Sequence, residues 1–149
     1  GNNGTALREG ELVLGGGDSG TTSLFLLNTT TEDATATALL INGNSSLSII
    51  ERDKNDVYSY TVDIIGYRTG GASGSGSVSD RIFLKLEGIV LGATATETLT
   101  IIVSFGTVTG WTAASSMSGV DDMAIKVTGA ASMDITWQAT ARFNQLKLT

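Results

Sequence analysis

The sequence predicts an all-β fold, an antiparallel β-sandwich of jelly-roll-like kind, and three observations predict it. Apolar residues alternate with period two over several segments, as where Tyr58, Tyr60, Val62 and Ile64 interleave with Ser59, Thr61 and Asp63. Successive side chains of a strand point to opposite faces, so this pattern describes a half-buried strand. No segment keeps a 3.6-residue period over a dozen residues, which leaves no place for a long helix. Only 16% of the 149 residues are charged, while Thr, Ser and 19 Gly supply the polar surface. Thr is β-branched and fits strands, and Gly fits the turns between them.

Residues 1–22, GNNGTALREGELVLGGGDSGTT, form a compositional zone of their own. The short apolar run Glu11–Leu14 has too little to bury by itself, so it reads as part of a linker or a stalk and trimerisation segment that borrows a partner. The chain starts at Gly1 without Met, the mark of a processed or partial form. The sandwich domain then covers 23–149. Ser23–Asn28 is apolar on both faces, which predicts a strand covered on both sides. Ala34–Ile41 and Ser46–Ile50 flank Asn42-Gly43, the dipeptide of a type I′ turn, and predict a hairpin. Val57–Gly71 is the best-patterned strand of the first half and runs into an exposed Gly/Ser loop at Gly70–Asp80.

In Arg81–Leu91, Ile82, Leu84 and Leu86 share one face. In Thr98–Phe105, Leu99, Ile101, Val103 and Phe105 alternate inward. Around Trp111 the chain reads as irregular, with at best one helical turn over Thr112–Met117. Ala124–Gly129 is a short strand, and Met133–Phe143 is the most regular of all, with Met133, Ile135, Trp137, Ala139, Ala141 and Phe143 facing in. Roughly eight or nine strands with Gly, Asn and Asp turns between them define the sandwich.

Composition narrows the chemistry. With no His and no Cys, the commonest general base, the commonest metal ligand and every disulfide are missing. No Gly-x-Ser-x-Gly or Ser-x-x-Lys motif places a nucleophile. Asp121-Asp122 reads as a solvated turn rather than an acid–base pair, because adjacent loop residues point apart. The expectation is a protein that is not an enzyme and has no cofactor. Asp53, Asn55 and Asp56 carry oxygen ligands, but the order of a calcium loop is not met, so no metal site is expected. A net charge of −6 and a pI near 4.4 argue against a nucleic-acid partner. No apolar run reaches the roughly 18–20 residues of a membrane-spanning helix, so no membrane insertion is expected.

Three residues are candidates for ligand binding. Trp111 follows Gly110 in a loop, where an aromatic ring can stack on a sugar, although such a ring more often caps a sandwich core. Tyr67 and Arg68 sit at the mouth of the Gly70–Asp80 loop, in reach of a glycan or of a neighbouring subunit.

The order DVYSYTVDIIGYRTGG, a Gly/Ser loop, RIFLKLEGIVL, a Thr-rich strand, the Trp of GWTAA and AIKVTGAASMDITWQATARF resembles a β-sandwich domain found at the ends of bacteriophage tail-fibre and other virion appendage proteins. Gly66-Tyr67-Arg68-Thr69 stands where that family carries "ARRT", and Ile82–Gly88 stands for its next strand. Val127-Thr128-Gly129 with Trp137-Gln138-Ala139 stands for "VTGxxxxxxxWxAxV". REGELVLGGG resembles the "GDGELAFS" junction between a β-helical stalk and this domain. The likeness covers 8–143 and departs at Gly66 and Tyr67, where Ala and Arg are common.

The resemblance implies a virion location on the phage surface, a homotrimer, other virion proteins as partners, and a host-surface glycan as ligand of a fibre tip. The alternative it allows is a capsid decoration, head-fibre or collar protein that stabilises the particle without binding a ligand. The sequence adds its own reason for assembly. Ile65, Phe83, Ile89 and Ile102 fall on faces opposite the predicted core, and together they exceed what a monomer usually leaves in water. They are the candidate subunit interface.

Overall fold

The structure, a computed structural model, describes residues 10–15, 20–46, 48–72 and 77–148. It is all-β and antiparallel, as expected. The strands are β1 (Glu11–Leu14), β2 (Thr22–Thr31), β3 (Thr37–Ala38), β4 (Leu40–Ile41), β5 (Ile50–Glu51), β6 (Val57–Gly70), β7 (Arg81–Leu91), β8 (Thr94–Phe105), β9 (Thr112–Ser118), β10 (Asp122–Thr128) and β11 (Asp134–Leu146). Among the described residues, seven strands make one sheet in the order β1–β2–β11–β6–β7–β8, with β4 also on β2. In the second sheet β9 runs along one side of β10, and the short β3 and β5 share the other.

The last long strand, β11, slots between β2 and β6 and pairs with both. Its alternation decides which face becomes core: Ile135, Trp137, Ala139, Ala141 and Phe143 are buried and the residues between them are not. Tyr58, Tyr60, Val62 and Ile64 of β6, Ile82, Leu84, Leu86 and Val90 of β7, and Phe25 and Leu27 of β2 extend the same buried face. The second sheet closes over it with Met123, Ile125 and Val127 of β10 and Ala113 of β9. Two glycines on the inner face make room for rings. A Cβ on Gly66 would lie 2.5 Å from the Trp137 indole, and one on Gly88 would run into the Tyr60 ring.

Several expectations are corrected. Glu11–Leu14 has its partner within the chain, since β1 lies along β2 with Leu12 opposite Leu24. Residues 1–9 and 16–19 of the predicted stalk segment lie outside the described residues, as do 73–76 of the Gly/Ser loop. Ser23–Asn28 is covered on one side only: Phe25 and Leu27 are buried, while Leu26 is 44% exposed. Asn42 and Gly43 do take positive φ (50° and 70°), the geometry of a type I′ turn. The predicted hairpin nevertheless does not form: the run before the turn is itself split, with β3 on β10 and β4 on β2, and β5 after it pairs with β10. The chain thus uses the turn to change layers.

Thr112–Met117 is strand β9, not an irregular turn. Its small side chains gave no alternation to read, and its pairing with β10 over the full length of both strands supplies the order. The end of β8 holds the other correction. Phe83 pairs with Val103 but Leu84 pairs with Ile101, so Ile102 is an extra residue, a β-bulge. Beyond a bulge the faces exchange. Val103 and Phe105 therefore stand beside Phe83 and Arg81 on the outer face, not inward with Leu99 and Ile101.

Gly66→Ala and Gly88→Ala are each expected to cost about 1–3 kcal/mol of unfolding free energy through overpacking against Trp137 and Tyr60. Denaturant melts of variants that keep a β-type far-UV spectrum measure it, and losses under a few tenths of a kcal/mol would contradict the close approach.

Candidate functional site

The predicted ligand residues are not brought together at the surface. Trp111 is 4% exposed and its ring meets the Trp137 ring edge-on, with centroids 5.7 Å apart. It closes the core at the start of β9 and offers no exposed face for stacking. Arg68 lies on the inner face of β6 at 4% exposure. Its Nε donates to the Gly70 carbonyl at 2.9 Å, and its own N–H and C=O pair with Asp80 and Ser79. Asp80 in turn accepts the Ser77 N–H at 2.8 Å. Arg68 is therefore a strut at the base of the loop. Tyr67, next to it on β6, points the other way and is 40% exposed.

Registers across the large sheet map its outer face row by row, since residues directly opposite one another in an antiparallel pair share a face. The central rows are polar: Thr98, Glu87, Thr61 and Arg142 in one, Thr100, Lys85, Asp63 and Thr140 in the next. Lys85 and Asp63 form a solvent-exposed ion pair at 3.9 Å, which contributes little.

The rows at one end are apolar. Val103, Phe83 and Ile65 line up in one, and Phe105, Arg81 and Tyr67 in the next. They enclose a shallow cleft of about 420 Å3 lined by Ile65, Arg81, Ile82, Phe83, Val103, Ser104 and Phe105. The Arg81 guanidinium lies 4.3 Å from the centre of the Phe105 ring and donates to the Ser79 carbonyl at 3.1 Å.

The four predicted interface residues are thereby divided. Ile65 (56% exposed) and the partly buried Phe83 belong to this corner, and Ile102 (48% exposed) is the bulge residue at its rim. Ile89 (53% exposed) is at the opposite end, in the row next to that of Val57, Leu91 and Leu146. Val103 and Phe105 were missed. Their signal in the sequence was the consecutive apolar pair Ile101-Ile102, which breaks strict alternation where a bulge can enter.

A polar cluster lies between the sheets. The Tyr60 hydroxyl donates to Glu97 Oε2 at 2.6 Å, and the Ser115 N–H donates to the same carboxylate at 3.1 and 3.2 Å. Glu97 thus ties β8 to β9. Burial, then the Glu97 hydrogen bond, push the Tyr60 phenol well above its ordinary value. Nearby, Arg52 is 5% exposed, packs 5.8 Å from the Tyr58 ring centre and donates to the Gly92 carbonyl at 2.9 Å. Desolvation lowers its pKa, with Tyr58, Asp121 and Asp122 acting in the opposite sense. Both groups brace the fold.

Asp53 and Asp56 do not face a common point. The Asp53 carboxylate accepts the Asn55 N–H at 2.9 Å. That of Asp56, a residue 6% exposed, accepts Gln145 Nε2 at 2.6 Å and the Leu148 N–H at 3.0 Å. Among the described residues no group of three or more acidic side chains is placed to hold a metal ion.

No family model and no curated protein matches the chain. Among solved structures, the tailspike protein of Acinetobacter baumannii phage AM24 is similar over 85% of this chain at 8% identity, with a TM-score of 0.44. The chain spans 26% of the length of that protein.

Two solution tests follow from this geometry. The neutral Tyr60 phenol is favoured in the fold, whereas an unfolded tyrosine ionises near pH 10. Its stabilisation is therefore complete below about pH 10 and is lost as pH rises above that value. Tyr60→Phe should flatten this alkaline decline in the melting temperature. A wild-type melting temperature that does not fall on the alkaline side contradicts the assignment. Chelation should leave the melting temperature unchanged, since Asp53 and Asp56 already spend their oxygens on the protein. A drop of many degrees with EDTA, reversed by calcium, would overturn that.

Proposed function

We propose that this chain is a structural module of a bacteriophage virion surface, an appendage or decoration protein that works as a homotrimer and catalyses no reaction. The observation that carries the proposal is the apolar corner of the outer sheet face, where Ile65, Val103 and Phe105 are each more than half exposed. Exposed apolar area of that extent on a weakly charged chain fits a subunit that functions with neighbours against it. The sequence resemblance over 8–143 supplies the virion setting.

Of the two roles weighed for such a module, stabilising the particle is favoured. Burial of Trp111 and Arg68 removes two of the three residues that a glycan would have contacted. Host-glycan attachment is the second reading, and the exposed Tyr67 beside the apolar cleft favours it.

Light scattering should give three times the 15.4 kDa chain mass at micromolar concentration, and cryo-EM of particles should place the chain on the virion surface. A monomer, or particles that lack the chain, would refute the proposal. A glycan array separates the two roles: specific binding that disappears in Tyr67→Ala establishes attachment, and an empty array leaves stabilisation.

A further inference from the structure

We propose that the copies meet through the free edge of β8, which converges with its counterparts on the symmetry axis so that both faces of its C-terminal half are buried. The inference rests on the assembly proposed above and names its contact. Along β8, exposure changes abruptly. From Thr94 to Leu99 every second residue is partly covered, whereas Thr100 to Phe105 are all exposed. Ile101, on the core side opposite Leu84, is 58% exposed, and Val103 and Phe105, on the outer side, are 61% and 57% exposed. A flat partner laid on either face would cover one set and leave the other in water. Edges brought together at an axis cover both.

The main chain makes the same demand. Among the described residues β8 pairs only with β7, so one whole edge of a 12-residue strand presents unpaired N–H and C=O groups. Edge strands are ordinarily protected by Lys, Pro or an inward-turned charge. β8 has no Lys, Arg or Pro, and its one charge, Glu97, is engaged with Tyr60 and Ser115 in the half that β9 already covers. The C-terminal half has only the bulge.

Area and charge select a second copy of this chain as the occupant. Ile65, Tyr67, Ile101, Ile102, Val103 and Phe105, between 40% and 61% exposed, present on the order of 600 Å2, near the ~800 Å2 per partner of a standard interface and at the upper limit of a monomer's largest patch. The chain carries a charge of −6, yet none of these six residues is acidic, the neighbouring Asp80 is buried, and Arg81 lies over Phe105. Identical corners therefore bring no carboxylates together, and each Arg81 charge lies against the Phe105 ring of its own chain. On the large sheet, the other exposed apolar groups, Leu12, Leu14 and Leu26 near β1 and Ile89, Leu91 and Leu146 at the far end, lie on the outer face alone.

The chain has no cysteine, so single-cysteine variants report contacts without background. Oxidised Val103→Cys should give disulfide-linked pairs at micromolar concentration, and Ile89→Cys should not. Val103→Glu should convert the assembly to 15.4 kDa monomers that keep a β-type far-UV spectrum and a cooperative melt, while Ile89→Glu keeps the wild-type mass. If Val103→Glu fails to fold, the cross-linking result decides. An assembled wild type that neither cross-links at 103 nor dissociates in Val103→Glu overturns the edge contact and leaves the trimer standing. A monomeric wild type overturns both, as does a monomer whose β8 edge instead captures a different virion protein.

Discussion

The packing of the Trp137 indole is the constraint from which the rest of the sandwich follows. Trp137 is fully buried, and a buried indole needs an acceptor for its N–H. That acceptor is Thr31 Oγ1 of β2 at 2.9 Å. On the other side the ring lies over Gly66 of β6, the one inner-face position of that strand's core run with no side chain, and Trp111 closes it from the start of β9. A single side chain on β11 therefore fixes the position of strands on both sides of it and of the second sheet. A slip of one residue on either side would turn the ring outward and bring polar Thr136 or Gln138 into the core. The register between β2, β11 and β6 is specified for that reason.

The second sheet built on this anchor is narrower than the first. Its outermost strand on that side, β9, reaches β8 through the Glu97 carboxylate, which accepts the Ser115 N–H and the Tyr60 hydroxyl together. Up to that tie, the inner residues of β8 are at least partly covered: Ala95, Glu97 and Leu99 all lie in intermediate environments. Past Leu99 every residue of the strand is exposed, and Ile101 is left open although it faces the core side. The exposure of Ile101 is thus a consequence of layer width.

How much of this was legible depended on side-chain size and on where pairing partners lay. β6, β7 and β11 were readable because large apolar residues alternate with polar ones over many positions, and burial reproduces that alternation residue by residue. β9 was not, since Ala113, Ala114, Ser115 and Ser116 carry no contrast between faces and are held as a strand by β10. The partner of β1 and the separate fates of β4 and β5 could not be read, because strand pairing across a distance of sequence leaves no local mark. Arg68 illustrates the limit for the site. Arginine at the mouth of a loop normally reads as exposed, yet its alternation with Ile64 and Gly66 placed it inward, and the carbonyls of the loop base supply its partners. Trp111 was ambiguous by sequence, and its neighbour in space, Trp137, decides in favour of the core.

The bulge at Ile102 gives the corner its shape. In an unbroken strand Val103 and Phe105 would follow Leu99 and Ile101 on the inner side, beyond the reach of β9, and the apolar surface would be split between two faces. The extra residue transfers them to the outer side, where Val103 aligns with Phe83 and Ile65, and Phe105 with Arg81 and Tyr67. Apolar burial is worth about 25 cal/mol per Å2, but association costs several kcal/mol before any net affinity remains. Scattered side chains do not overcome that cost, and a contiguous patch of several hundred Å2 can. The same bulge interrupts the regular hydrogen-bonding edge that would otherwise accept strands indiscriminately. A single inserted residue therefore gathers the apolar side chains onto one face and interrupts the regular edge beside them.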